Sequence, residues 1–142
     1  MTIWKNNPSV EVINQMMQDT MVQHLDIKIT EIGEDCIKAS MPVQSKSKQP
    51  MGLLHGGASA ALSESMGSIA AVLIVEDITK QQIVGIELNA NHLKAVRNGM
   101  VHSITKPIRV GRRIQVWNTD IFDESQNLIC TSRLTTMTIA ID

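Results

Sequence analysis

HGGASAALSESMGSIAAVLIV, residues His55 to Val75, is the stretch whose reading decides the fold. Small and apolar side chains fall on nearly every face of this run, and a helix that is apolar almost all round is a buried one. At about 1.5 Å per residue it would span roughly 30 Å, the diameter of a small domain. Such a rod needs a cover, and the flanking sequence supplies strands. Downstream lie four runs rich in β-branched residues: Ile83 to Asn91, Met100 to Pro107, Arg113 to Asp123 and Leu128 to Ile141, with Asp123 to Asn127 as the turn between the last two. Upstream, Leu25, Ile27 and Ile29 alternate, Gly33-Glu34-Asp35 turns, and Ile37, Ala39, Met41 and Val43 alternate again, which predicts a β-hairpin. The polar run Gln44 to Gly52 reads as a loop, and Ser9 before Val10, Glu11, Ile13, Met16 and Met17 predicts a short capped helix that acts as a lid or flank. Strands gathered round one central helix define an α+β domain with an antiparallel sheet. No repeat or linker divides residues 1–142, so one domain is expected. A single sheet on one helix leaves edges and an outer face uncovered, and association through them is expected.

Composition narrows the function. Hydrophobic residues are 43% and charged residues 19% of the chain, enough for a core, and the net charge is -1. That balance, with only Trp4, Trp117 and Phe122 to stack on bases, argues against a nucleic-acid binder. The N-terminus has no apolar run of signal-peptide length and no segment reaches the roughly 20 apolar residues of a membrane span, so no membrane partner and a cytoplasmic location are expected. Cys36 and Cys130 fit no metal or redox spacing and are expected as free thiols. HExxH, paired CxxC, GxSxG, P-loop and GxGxxG motifs are absent, which removes the corresponding enzyme classes as motif-supported readings.

Glu64 is the residue to explain, because it stands in the middle of the most buried element. An unpaired carboxylate there must find donors, change its pKa or line a wet cavity. A helix face reaching solvent, or a structural ion pair, would also account for it. Ser68, four residues on, shares its face and could stand beside it; Ser65 is adjacent, but helix serines often bond back to their own backbone. His55-Gly56-Gly57 opens the same helix, where free N–H groups and the macrodipole attract an anion or a developing oxyanion, and Gly56 would let a carbonyl approach its N–H. The glycines could equally serve a tight loop. His55 and Glu64 are nine positions apart (64 − 55), so their side chains point about 180° from each other with about 13 Å between them along the axis. If both act on one substrate, a second copy of the helix must supply one of them, which predicts sites shared across a two-fold dimer.

Between Glu87 and Asp120 there is no acidic residue, while Lys94, Arg97, Lys106, Arg109, Arg112 and Arg113 are six of the chain's 13 basic residues. A solvated basic face and a clamp for a phosphorylated small ligand both fit. His24, His92 and His102 show no metal-ligand spacing; His92 follows a strand and opens the cationic stretch, but its position by itself reads first as a surface histidine.

Three segments, KQPMGLLHGGASAALSESMGS (Lys48 to Ser68), VGIELNANHLKAVRNG (Val84 to Gly99) and DIFDESQNLICTSRLTT (Asp120 to Thr136), resemble the hotdog-fold acyl-CoA thioesterases, in particular the small bacterial group of menaquinone and enterobactin synthesis. The resemblance implies a sheet of about five or six strands wrapped round the helix. It implies hydrolysis of an acyl-CoA thioester, an aromatic one such as 1,4-dihydroxy-2-naphthoyl-CoA, without metal or redox cofactor. Within it Glu64 is the catalytic carboxylate, acting as base or nucleophile. Gln49 and His55 position carbonyl and water, the Gly56 N–H is the oxyanion donor, and Ser68 orients water or the acyl group. Gly85, His92, Lys94, Arg109, Gly111 and Arg112 fall where the family holds coenzyme A, and the assembly implied is a homotetramer of two dimers. Met51 stands where the family commonly has phenylalanine, and Lys94 where it has arginine. The rivals are a noncatalytic acyl-CoA sensor on the same fold, a thioesterase proofreading acyl-carrier-protein esters, and a hotdog dehydratase, whose HFPxxP-type signature is absent.

Overall fold

The apolar rod forms as its sequence predicts, one residue shorter at its start and two at its end. In the computed structural model, which describes residues Met1–Asp142, the central helix runs Gly56–Leu73 and is the third of the chain. Before it come α1 (Val10–Met16), α2 (Met21–His24), β1 (Lys28–Ile32) and β2 (Ile37–Pro42), and after it β3 (Gln81–His92), β4 (Met100–Val110), β5 (Ile114–Phe122) and β6 (Leu128–Ala140). The Ser9 side chain caps α1 by accepting from the Val12 N–H at 3.2 Å. Two short elements were not legible: α2, and a 3-10 turn at Ser45–Ser47 inside the expected loop. Each is a single turn, too short to show a period. The predicted first strand also begins three residues late, because α2 and its C-cap Leu25 occupy the preceding positions.

The six strands form one antiparallel sheet in the order β1-β2-β4-β5-β6-β3, wrapped round α3. This is the hotdog architecture that the resemblance implies. Alternation does the work along β5, where Gln115, Trp117, Thr119 and Ile121 are buried and the residues between them are not. On α3, Leu62, Met66 and Ala70 are wholly buried against them. Gly67 lets the sheet close on the helix: a Cβ there would sit 2.6 Å from Leu134 Cδ2.

The first eight residues form an arm that seals the far end of α3. Lys5 and Asn6 both donate their backbone N–H to the Leu73 carbonyl, and Asn6 Nδ2 donates to the Val75 carbonyl at 2.6 Å, so carbonyls that a helix end leaves orphaned are satisfied. Trp4 donates its indole N–H to Gly33 O at 2.7 Å and stacks on Trp117, ring centroids 6.3 Å apart. The sheet has two edges. The five-residue β1 is flanked by α1, while β3 presents twelve residues with one side unpaired. Both cysteines are free, Cys130 buried and Cys36 half-buried. No helix is long and apolar enough to cross a membrane, and no three His, Cys, Asp or Glu side chains are grouped so as to hold a metal ion.

Candidate active site

The approach to α3 is folded back on itself. Ser47 is buried, donates to the Pro42 carbonyl and accepts from the Gln44 N–H, each at 3.0 Å, and the Ser47 carbonyl in turn accepts from the His55 N–H at 2.8 Å. Gln49 donates its N–H to the Leu53 carbonyl at 2.8 Å, closing the turn over Pro50 to Gly52. This brings Gln49, Leu53, Leu54 and Gly56 round a cavity of about 350 Å3 whose other wall is His92, Leu93 and Lys94. Gln49 Oε1 accepts from the Met51 N–H, so its amide NH2 is the group left to meet a ligand.

His55 is the N-cap of α3, its Nδ1 accepting from the Gly57 N–H at 2.7 Å. In the neutral ring the proton then sits on Nε2, which faces outward as a donor. The cap leaves the Gly56 N–H without a partner in the chain, at the positive end of an 18-residue helix. A side chain at Gly56 is impossible without moving His92, because a Cβ would lie 2.7 Å from His92 Nε2. His92 is exposed to solvent yet rests against the bare backbone of the helix start. The capping role of His55 was not legible, since histidine is not among the usual N-caps.

Glu64 lies two turns further along α3, half-buried. Desolvation alone pushes its carboxyl above the usual carboxylate range; no cation or hydrogen-bond donor offsets it. Opposite it is Gly85 of β3, where a Cβ would sit 2.7 Å from Glu64 Oε1. The β3–β6 register slips between Gly85 and Glu87, so a bulge at Ile86 marks the point where the strand passes the carboxylate. Ser65 bonds back to the Ala61 carbonyl at 2.6 Å, while Ser68 makes no such bond and opens into a second cavity, between α3 and the N-terminal arm.

The structure therefore brings together Gln49, Gly56, His92 and Lys94 at one place and Glu64 with Gly85 at another, with Ser68 one turn beyond. It does not bring all of them together within one chain. Nor does it gather the cationic residues. Lys94 sits by the N-terminus of α3 and pairs with Asp123 at 3.5 Å. Arg109, Gly111 and Arg112 lie at the β4–β5 hairpin, closed by the Gly111 N–H on Ile114 O at 2.9 Å, and Arg112 lines a cavity with Val75 and Glu76 beyond the other end of α3. About 27 Å of helix separates the two groups. A ligand held by both must lie across more than one copy of the chain.

Residues 51–130, which include α3, Glu64, Gly85 and the cationic stretch, match the Thioesterase superfamily. A 1,4-dihydroxy-2-naphthoyl-CoA hydrolase of Escherichia coli K12 is 50% identical over 134 residues, 94% of this chain and 97% of its own. A proofreading thioesterase of Cronobacter sakazakii is 46% identical over 134 residues, 94% of this chain and 96% of its own. Among solved structures, a thioesterase of Haemophilus influenzae superposes with a TM-score of 0.94 at 45% identity, covering 98% of this chain and 96% of that one. The fold, the matched helix and these relatives agree: this chain belongs to the thioesterase superfamily, as a hydrolase of thioesters built on the hotdog fold.

Proposed function

We propose that the protein hydrolyses the thioester of an aromatic acyl-CoA, of the 1,4-dihydroxy-2-naphthoyl class used in menaquinone synthesis, to the free acid and coenzyme A. The observation that carries this is Glu64, a desolvated carboxylate with no partner, kept free by the absence of a side chain at Gly85. The half-identity to a 1,4-dihydroxy-2-naphthoyl-CoA hydrolase supports the acyl class. Glu64 takes a proton from water as its oxygen attacks the thioester carbonyl; the oxyanion accepts from the Gly56 N–H of a second copy. The tetrahedral intermediate then expels the coenzyme A thiolate, which takes up the proton. Attack by Glu64 itself, through an anhydride that water then opens, gives the same products. Gln49 and His55 donate to the carbonyl from the Gly56 side, and Ser68 orients water or the acyl group. His92 and Lys94 from one copy and Arg109, Gly111 and Arg112 from another hold the nucleotide portion of coenzyme A, with Gly85 beside the thioester. The site is completed by a homodimer, two of which form a tetramer, and the enzyme works in the cytoplasm.

A thiol-release assay over aromatic and aliphatic CoA esters tests the reading. Aromatic esters turn over fastest, and Glu64→Ala keeps the fold and the affinity for a thioether analogue of coenzyme A but loses turnover. Normal turnover in that variant ends the proposal. The 46% identity to a proofreading thioesterase favours carrier-bound aryl esters as a second substrate, measured in the same assay.

A further inference from the structure

The cavity that receives Ser68 has no counterpart in the roles assigned so far. It holds about 620 Å3, within the ~300–1,000 Å3 range of small-molecule sites. One wall is α3, through Ile69 and Val72; the other is the arm and α1, through Pro8, Met16 and Met17. Ser68 is four residues past Glu64 on the same face, about 6 Å further along the axis, so a group joined to a carbonyl at Glu64 and running along α3 enters here. Both walls are mainly aliphatic or thioether, and the polar side chains are Ser68 on the helix and Lys5, Asn6 and Asn7 on the arm. Two asparagines fix the far wall. Asn6 ties the arm to the Val75 carbonyl, and Asn14 ties α1 to β1 by donating to Ile29 O and accepting from Ile29 N–H, both at 2.9 Å.

We propose that the N-terminal arm and α1 form the acyl-selecting wall of the enzyme, with Met16 setting the size of the acyl group admitted beside Ser68. The arm and α1 lie outside the 51–130 segment matched to the superfamily, so the wall that faces the catalytic helix comes from a separate part of the chain. The ligand class is a flat, mostly apolar acyl group larger than benzoyl. Methionine suits the position because its flexible thioether packs on aromatic faces. The proposal rests on the hydrolytic reading above for its carbonyl at Glu64.

The test compares kcat/KM for 2-naphthoyl-CoA and benzoyl-CoA in the full-length protein, and the binding of the corresponding non-hydrolysable aryl-ketone analogues by calorimetry. Met16 is largely exposed, so bulk can be added without disturbing the core. Met16→Trp lowers the naphthoyl-to-benzoyl ratio about tenfold in both measurements, and Met16→Leu leaves it within about twofold. An unchanged ratio, or an equal loss for both esters, overturns the wall. If the wild type hydrolyses neither ester but Met16→Trp still weakens the naphthyl analogue alone, the hydrolytic reading fails and the pocket stands. If hydrolysis proceeds and the ratio does not move, the pocket fails alone.

Discussion

Glu64 is a carboxylate held against its own solvation, and that has consequences for both activity and stability. Burial favours its protonated form, so between the unfolded and folded pKa values the native state binds more protons than the unfolded chain. Stability from this group therefore falls as pH rises through that window, and by neutral pH the wild type carries the full cost of the buried charge. Glu64→Gln is expected to melt higher than wild type at pH 7 to 8, by calorimetry, with the gap closing as the pH approaches 4. Its turnover falls about 10²- to 10⁴-fold. The acid limb of the wild-type kcat profile is expected at higher pH than an unperturbed glutamate would give, because burial raises the Glu64 pKa. Gly85 has the complementary role: a methyl there meets only the tip of Glu64, which can swing aside. Gly85→Ala is expected to fold normally by circular dichroism and lose at least tenfold in kcat, with a smaller change in KM. Glu64 was legible because charge is rare in such a run. The family pattern placed Gly85 only among the coenzyme A positions; its approach to Glu64 was not legible, since a contact between residues 21 positions apart (85 − 64) depends on how β3 crosses the helix.

At the scale of elements, α3 buries one face on the sheet and turns its other apolar face, with Ile69 and Val72, to the cavity beneath the arm and α1. Gly67 marks the tightest contact. Gly67→Ala puts a Cβ against the buried Leu134 and is expected to cost about 1–3 kcal/mol, read as a lowered urea midpoint with kcat per folded molecule unchanged. The order of strands could be read from β-branched runs and turn residues, since those follow local period and propensity. The basic stretch could be read as density but not as direction. Its members lie on β4 and in the connections before and after it, and the antiparallel course of the chain carries Lys94 and Arg112 to opposite ends of the helix. The arm's place was illegible, because its residues carry no periodic signal and Lys5 and Asn6 act on backbone carbonyls that only the folded helix presents.

For the whole molecule, β3 governs. Its outer side offers unpaired N–H and C=O groups along a twelve-residue strand, with Ile86 exposed, and two such edges joined antiparallel would continue the sheet across a two-fold axis. The protein is expected to sediment as a dimer or larger, and Ile86→Lys, a change at an exposed bulge, is expected to shift it toward monomer with activity falling in parallel. A monomer that retained full kcat would separate catalysis from association. That one rigid rod cannot turn residues 55 and 64 to one point could be read from helix geometry alone; that β3 is left with a free edge could not, because edges are a property of the completed sheet.

The stacking of Trp4 on Trp117 gives the protein a built-in reporter. The chain has no tyrosine and one phenylalanine, so its ultraviolet emission comes from that pair alone, one ring on the arm and the other at the heart of the sheet. Undocking of the arm would move Trp4 into water, redden and weaken the emission, and abolish the near-ultraviolet dichroism of the coupled indoles, while leaving the peptide spectrum almost untouched.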